Sequence, residues 1–386
     1  MSGFPAPARR LRLGFVGGGQ GGQIGATHGN GARLSGRWDI VAGALSSDPA
    51  RAGASGRAWF LAEDRIYTDF AQMAEREAAR EDGIDAVAIV TPNHLHAPVA
   101  EAFLARGIDV ISDKPLTATL AEAEALAGKA RAAGLVYAVT YAYASHVMVR
   151  QAREMVRAGD LGELRQVHVE YFQDWAIGLS GEIDPLPWRL DAARSGPSFT
   201  VGDIGTHAEH LVRFVTGRSI RELRADLFVT GAPKPLEDTA FMQFRLEGGV
   251  PGTLMVSQAM AGSDCALRIR VSGTKATLEW NQEEPESLDV RPVNAPRRIL
   301  TRGFGGGMSP VAERLVRMPR GHPEALTDAW GNLYIELAVA IEARRAGRAL
   351  PEGLVAFPTF EDGLAGMRFV DAALRSNGTG RFVALE

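Results

Sequence analysis

The chain has a single cysteine, Cys265, in 386 residues. A disulfide framework within the chain is thereby excluded, and the lone thiol fits a reducing compartment. Long apolar runs are missing as well, since none approaches the ~20 residues that a membrane-spanning helix needs. Met1 to Arg10 carry two arginines but no apolar stretch, so they do not read as a secretory leader. Charge of one sign is also lacking: 42 Lys and Arg stand against 46 Asp and Glu, for a net −4. Without a basic surplus nucleic acid is not an expected partner, and Arg344-Arg345 reads as a solvated helix face. No Gly-x-Ser-x-Gly, Cys-x-x-Cys or His-Glu-x-x-His occurs, nor any internal repeat. The expectation is a cytoplasmic protein with no membrane or nucleic-acid contacts.

Glycine is plentiful, with 44 residues beside 20 prolines, which suits many turns. The length suggests two domains. Over residues 1–143, Leu11 to Val16, Ile40 to Leu45, Ala86 to Val90, Ile108 to Ser112 and Val136 to Tyr141 read as buried strands. Helical patterns at Gln23 to Leu34, Pro49 to Leu61, Asp69 to Arg80, Pro98 to Arg106 and Leu120 to Ala133 separate them. Such alternation implies βαβ units on a parallel sheet, an α/β domain of Rossmann type.

From residue 144 the pattern changes. A helix over Val149 to Ala158 leads to longer β-prone runs at Leu164 to Trp175, Leu223 to Thr230, Ala240 to Leu246, Gly252 to Ala261, Leu267 to Ser272 and Lys275 to Trp280. Gly248-Gly249 and Gly273-Thr274 read as hairpin turns. Residues 144–386 are therefore expected to form an α+β domain, an antiparallel sheet with helices on one face. Thr301 to Pro310, rich in glycine, reads as a mobile loop, and helices over Pro323 to Ala346 and Thr359 to Ser376 close the chain.

Gly17, Gly19 and Gly22 satisfy G-x-G-x-x-G directly after the first strand and before the first helix. The first glycine permits the tight turn, the second a close approach to a pyrophosphate, and the third close helix–strand packing. The helix N-terminus favours the anionic phosphates. The acid that usually bonds the ribose of NAD at the end of the second strand is missing, and Ser46 stands there, followed by Ser47. Serine does not repel a 2′-phosphate, and Arg51 is close enough in sequence to meet one, so NAD and NADP both remain open.

At later strand ends, Thr91-Pro92-Asn93-His94 follows Ala86 to Val90, and Asp113-Lys114-Pro115 follows Ile108 to Ser112. Parallel sheets bind ligands beyond these carboxyl ends, where an ammonium can polarise a hydroxyl or carbonyl. His94 and His96 are spaced like a metal pair, but no acidic or cysteine ligand accompanies them; no metal is expected, and helix entry is the plainer role. Further on, Gly202-Asp203-Ile204-Gly205-Thr206-His207 opens a helix whose four-residue spacing puts Asp203 and His207 on one face. Histidine suits proton transfer from an alcohol, with Asp203 orienting the imidazole or bonding a substrate hydroxyl. Trp188-Arg189 can line a sugar site or join the core. Tyr141 and Tyr143 end the last Rossmann strand, where packing competes with substrate contact. His322 precedes the long helix, as a cap or a substrate contact.

Together these residues resemble the Gfo/Idh/MocA family, the glucose–fructose oxidoreductase and inositol dehydrogenase group, over nearly the whole chain. The resemblance rests on Gly17-x-Gly19-x-x-Gly22, Thr91-Pro92-Asn93 with His96, Asp113-Lys114-Pro115, Trp188-Arg189 and Asp203-x-x-x-His207. It implies an N-terminal Rossmann domain and a C-terminal domain on a large, open, mostly antiparallel sheet that binds substrate and pairs subunits into dimers or tetramers. It implies hydride transfer between nicotinamide and a secondary alcohol of a sugar, sugar derivative or inositol, with Lys114, Asp203 and His207 catalytic. The cofactor set would be Gly17, Gly19, Gln20, Gly22, Ser46, Ser47, Arg51, Thr91, Asn93, His96, Asp113 and Lys114. The substrate set would be Lys114, Tyr141, Trp188, Arg189, Asp203, His207 and His322. An NAD-dependent glycosidase acting through transient sugar oxidation, and a non-catalytic dinucleotide sensor, are the alternatives of similar fold. The chain departs from the family in Asp113 for the usual Glu, in Ser46 for the ribose acid, and in a longer segment from Gly22 to His28.

Overall fold

The computed structural model describes residues 3–303 and 307–385. Phe304 to Gly306, the centre of the segment read as a mobile loop, lie outside the described residues. Contacts divide the chain into two compact units. One is Gly3–Ala142 with Thr327–Leu364; the other is Tyr143–Leu326 with the chain from Ala365 onward. No helix among the described residues is long and apolar enough to cross a membrane.

In the first unit, β1 (Leu11–Gly17), β2 (Trp38–Ala44), β3 (Ala86–Val90), β4 (Asp109–Ser112) and β5 (Tyr137–Val139) form a five-stranded parallel sheet in the order β2-β1-β3-β4-β5. β3 is buried along its whole length, as its unalternated Ala-Val-Ala-Ile-Val predicts for a strand covered on both faces. Local signals set the helices between strands. Thr119 and Glu122 form a capping box at the start of Leu120–Ala133, and Gly134, at φ +62°, ends it. β2 and β3 flank β1 on opposite sides, so the strand order reverses there. The carboxyl ends of β1 and β3 thus form the switch point where doubly wound sheets take ligands.

The helix Leu326–Arg345 returns to this unit from far along the sequence. Trp38 Nε1 donates to Tyr334 O at 2.8 Å, and Arg344 donates to Asp109 Oδ2 at 2.9 Å. Arg345 and Arg9 both pair with Asp85. Burial pushes the Asp85 carboxyl up, but the Arg9 and Arg345 guanidiniums and the Arg12 amide outweigh it and bring it down to about 2. Buried carboxylates demand such partners. These pairs tie the helix to the amino-terminal edge of β3 and β4.

The second unit is built on a nine-stranded sheet. Its strands are β6 (Leu164–Phe172), β7 (Ile220–Phe228), β8 (Thr239–Leu246), β9 (Pro251–Ser257), β10 (Ala266–Gly273), β11 (Ala276–Asn281), β12 (Ser287–Pro292), β13 (Arg298–Thr301) and β14 (Val383–Ala384). Their order is β13-β12-β11-β10-β6-β9-β8-β7-β14. β6 and β9 pair in parallel and the remaining neighbours antiparallel, so the sheet is mostly antiparallel. Strict alternation of buried and exposed residues along most of β8 gives one packed and one solvated face. The helices Val147–Arg157 and Thr206–Thr216 lie on the packed side. β12, β13 and β14 were not among the runs read as strands. Arg-Ile-Leu-Thr and Val-Ala are too short to show a period, and pairing with β12 and β7 makes them strands.

Candidate active site

The loop after β1 is shaped by sterics. Gly17 and Gly18 have φ of +84° and +73°, which side-chain-bearing residues rarely adopt. A Cβ on Gly17 would lie 2.8 Å from Val90 O, and one on Gly19 would lie 2.6 Å from Leu45 O. A Cβ on Gly22 would be tight, at 3.1 Å from Gly19 O, but the severest helix–loop approach is at Gly25, 2.5 Å from Gly18 O. Gly25, absent from the motif reading, shares the packing role assigned to Gly22. The following helix, Gln23–Ser35, has no side-chain cap at Gly22 and no acidic residue in its first turn. Its leading amides therefore suit an anion. Gln20 N donates to Ser55 Oγ at 3.1 Å, which holds the loop against the next helix.

Where a ribose acid was expected, Ser46 Oγ accepts from Asp48 N at 3.2 Å. Asp48 itself caps the helix Pro49–Ala58 by accepting from Arg51 N at 2.7 Å. Ser47 and Arg51 are exposed, and the Arg51 guanidinium reaches Gln20 O at 3.4 Å. A cation rather than a carboxylate thus lies over the glycine loop.

Lys114 follows β4 in a cis Lys114–Pro115 segment. Asp113 N donates to Ile89 O at 2.8 Å, so this segment sits beside the end of β3. The Asp113 carboxylate accepts from Lys114 N at 2.9 Å and from Thr140 Oγ1 at 3.1 Å. His28 Nε2 lies 4.0 Å from it. Burial pushes this carboxyl up, but His28, then the charges of Lys114 and His96, outweigh burial and hold it well below the usual carboxylate range. His28 is itself wholly buried against Trp330, its Nδ1 at 2.9 Å from Tyr334 Oη. The segment from Gly22 to His28 thereby delivers an imidazole behind the shorter acid.

His96 is buried with both ring nitrogens on carbonyls, Pro115 O at 2.8 Å and Thr91 O at 3.0 Å. Those nitrogens are committed to the loops after β3 and β4, which is a bracing role rather than a metal-ligating one. Burial lowers the His96 pKa, against Asp113 and the two carbonyls. A neutral ring has one N–H and bonds one carbonyl at a time. Asn93 stands in the short turn Asn93–Leu95 that follows Thr91. Tyr141 is 1% exposed and packs in the core of this unit.

In the second unit, Asp203 lies in a π-helical turn, Val201–Gly205, that runs into the helix Thr206–Thr216 carrying His207. Such single turns recur at functional sites. Glu237 anchors its start, accepting from Ser198 Oγ at 2.6 Å and from the amides of Phe199 and Val201 at 3.1 Å. Asp203 Oδ2 accepts from Gln258 Nε2 at 2.8 Å. The His207 ring packs edge-on against Tyr143 and Tyr171, with centroids 4.9 and 6.4 Å away. The two phenols meet at 2.6 Å and share the Cys265 thiol at 3.5 and 3.3 Å. Burial pushes both hydroxyls well above their ordinary range, so both stay protonated at neutral pH. Arg189 stacks over Trp188 at 4.5 Å and over Trp175 at 5.7 Å. His322 is exposed at a turn, and its carbonyl accepts from Arg302 at 2.6 Å.

Two family models match these two regions. The oxidoreductase family with an NAD-binding Rossmann fold covers residues 11–141, and the GFO/IDH/MocA C-terminal domain covers residues 149–279. The chain belongs to the Gfo/Idh/MocA oxidoreductase family. An uncharacterised oxidoreductase, YfiI of Bacillus subtilis (strain 168), is 34% identical over 97% of this chain and 96% of its own. Levoglucosan dehydrogenase of Pseudarthrobacter phenanthrenivorans is 27% identical over 76% of this chain and 78% of its own. Among solved structures, an inositol dehydrogenase homolog of Azotobacter vinelandii with NAD+ is 36% identical, with a TM-score of 0.91 over 98% of both chains. The same homolog with NADH and myo-inositol is 35% identical, with a TM-score of 0.89.

The first unit of this Gfo/Idh/MocA chain is accordingly an NAD(P)-binding Rossmann domain, and its glycine cradle and uncapped helix fit the dinucleotide's phosphates. Sequence reasoning missed Gly25, His28, Tyr171, Gln173, Gln258 and Cys265. His28 carried a faint signal as part of an unusual spacing. Tyr171, Gln173, Gln258 and Cys265 had none, because their contacts are made with residues on other segments of the chain.

Proposed function

We propose that this oxidoreductase transfers hydride between the nicotinamide of NAD or NADP and a secondary alcohol of a sugar, sugar derivative or inositol. The observation that carries this reading is the convergence of Gly17, Thr91 and Lys114 at neighbouring strand ends of β1, β3 and β4, around the sheet's switch point. Similarity over 98% of a homolog complexed with NADH and myo-inositol supports the substrate class. The bound dinucleotide supplies the hydride acceptor. Gly17, Gly19, Gln20 and Gly22 would hold its phosphates, Ser46, Ser47 and Arg51 its adenosine ribose, and Thr91 and Asn93 its nicotinamide end. Lys114 hydrogen-bonds the reacting oxygen and stabilises developing alkoxide charge. His207 accepts the hydroxyl proton, and Asp203 orients the substrate or the imidazole. Trp188 and Arg189 line the sugar. Cytoplasmic residence and pairing of copies through the solvated face of the nine-stranded sheet complete the reading.

The test is a screen of myo-inositol, levoglucosan and common aldoses against NAD and NADP, following absorbance of the reduced nicotinamide. Stoichiometric cofactor reduction with at least one of these alcohols is expected. Tight dinucleotide binding with no reduction by any of them would overturn the proposal.

A further inference from the structure

We propose that Gln258 is a positioning residue that holds the Asp203 carboxylate ionised and in one rotamer through a neutral hydrogen bond. This rests on reading Asp203 as part of the site proposed above. Gln258 follows β9 and is wholly buried, its own backbone N–H donating to Asp238 O at 2.8 Å. The direction of its amide follows from the chemistry around it. Trp175 Nε1 is a donor only. It meets Gln173 Oε1 at 3.1 Å, so that atom is the carbonyl oxygen of Gln173. Gln258 approaches the same oxygen at 3.2 Å and a carboxylate oxygen of Asp203 at 2.8 Å, both acceptors, so its NH2 faces them. Its Oε1 is left to accept from Thr200 Oγ1, at 2.8 Å. Both N–H bonds and the carbonyl of Gln258 are thus committed, and one of them ends on Asp203.

The consequence is electrostatic. A hydrogen bond to the charged form of a carboxylate favours that form without bringing in a cation. Titratable groups near Asp203 within this unit include His207 on its own helix, Tyr143, whose hydroxyl feels the Asp203 charge, and Glu237 at the start of the π turn. Tyr171 and Cys265 lie one contact further, joined to the network by Gln173 Nε2, which donates to Tyr171 Oη at 3.4 Å. The Gln258 amide thus favours the anionic form of Asp203 through a hydrogen bond directed at one carboxylate oxygen.

The full-length chain labelled with 13C at aspartate carboxyl carbons provides the test, with Asp203→Asn identifying the Asp203 resonance by its loss. Gln258→Leu should raise the Asp203 titration midpoint by about one pH unit, because the donor is gone. Gln258→Glu, nearly isosteric, should shift it further and split the titration into two steps, as for carboxylates sharing a proton. A midpoint unchanged in either folded variant overturns the proposal, and Gln258→Glu serves alone if the leucine variant fails to fold. The underlying reading fails differently: Asp203→Asn with wild-type turnover of the oxidised alcohol would remove Asp203 from catalysis while leaving the Gln258 midpoint shift in place.

Discussion

The described contacts behind Lys114 centre on an ionised carboxylate, and those around Asp203 and His207 on neutral hydrogen-bonding groups. Behind Lys114 stand the Asp113 carboxylate and the imidazoles of His28 and His96. Around Asp203 and His207 stand an amide, two phenols kept protonated by burial, and a thiol. The ionised arrangement depends on partners that must all be present, since a buried charge that loses its partner is costly. The neutral arrangement depends on direction, because amide and hydroxyl groups act only when their donors face the right acceptor. Mutations on the two sides should therefore fail in different ways.

Lys114→Ala offers the largest contrast. Loss of a group that stabilises developing charge should cost about a thousandfold in kcat. Dinucleotide affinity measured by nicotinamide fluorescence should stay within threefold. Asp113→Asn comes next: urea unfolding should show a loss of about 3 kcal/mol, typical of breaking a buried charge pair. Because the folded carboxyl sits below its ordinary pKa, that contribution is present at neutral pH and is lost only as pH falls below about 4.

His146 makes a smaller, opposite case in the second unit. Burial brings its imidazole down to about 4, with Gln282 partly countering, so the folded state keeps the ring neutral. The unfolded chain protonates it below about pH 6.5, so stability should fall by about 2 kcal/mol between pH 7 and pH 5. His146→Gln should flatten that part of the pH profile in urea titrations. An equally steep slope in the variant would assign the proton uptake elsewhere. The smallest expected effect is at Arg51, whose exposed guanidinium lies over the glycine loop. Arg51→Ala should weaken NADP binding about tenfold and NAD binding less than twofold, as the loss of one exposed phosphate contact implies. Equal losses for both cofactors would remove Arg51 from any 2′-phosphate role.

Much of the first unit was legible because its signals are local. A run such as Ala-Val-Ala-Ile-Val is buried on both faces wherever it lies, and Gly17 adopts a φ that most other residues reject. Lys114 at a strand end and Asp203 four residues before His207 could be read in the same way. The π-helical geometry beneath Asp203 could not, since it depends on Glu237 gripping the turn from another part of the chain.

The sequence by itself determined the alternation of strands and helices in the nucleotide-binding unit, the glycine cradle and the placing of Lys114 at a strand end. All of these follow from short-range sterics and periodicity. Tertiary structure alone decided what stands behind those residues. His28 meets Tyr334 from 306 positions away, and Gln258 meets Asp203 from 55. Only the packing of distant segments creates the buried, poorly solvated surroundings in which such contacts can set a charge state.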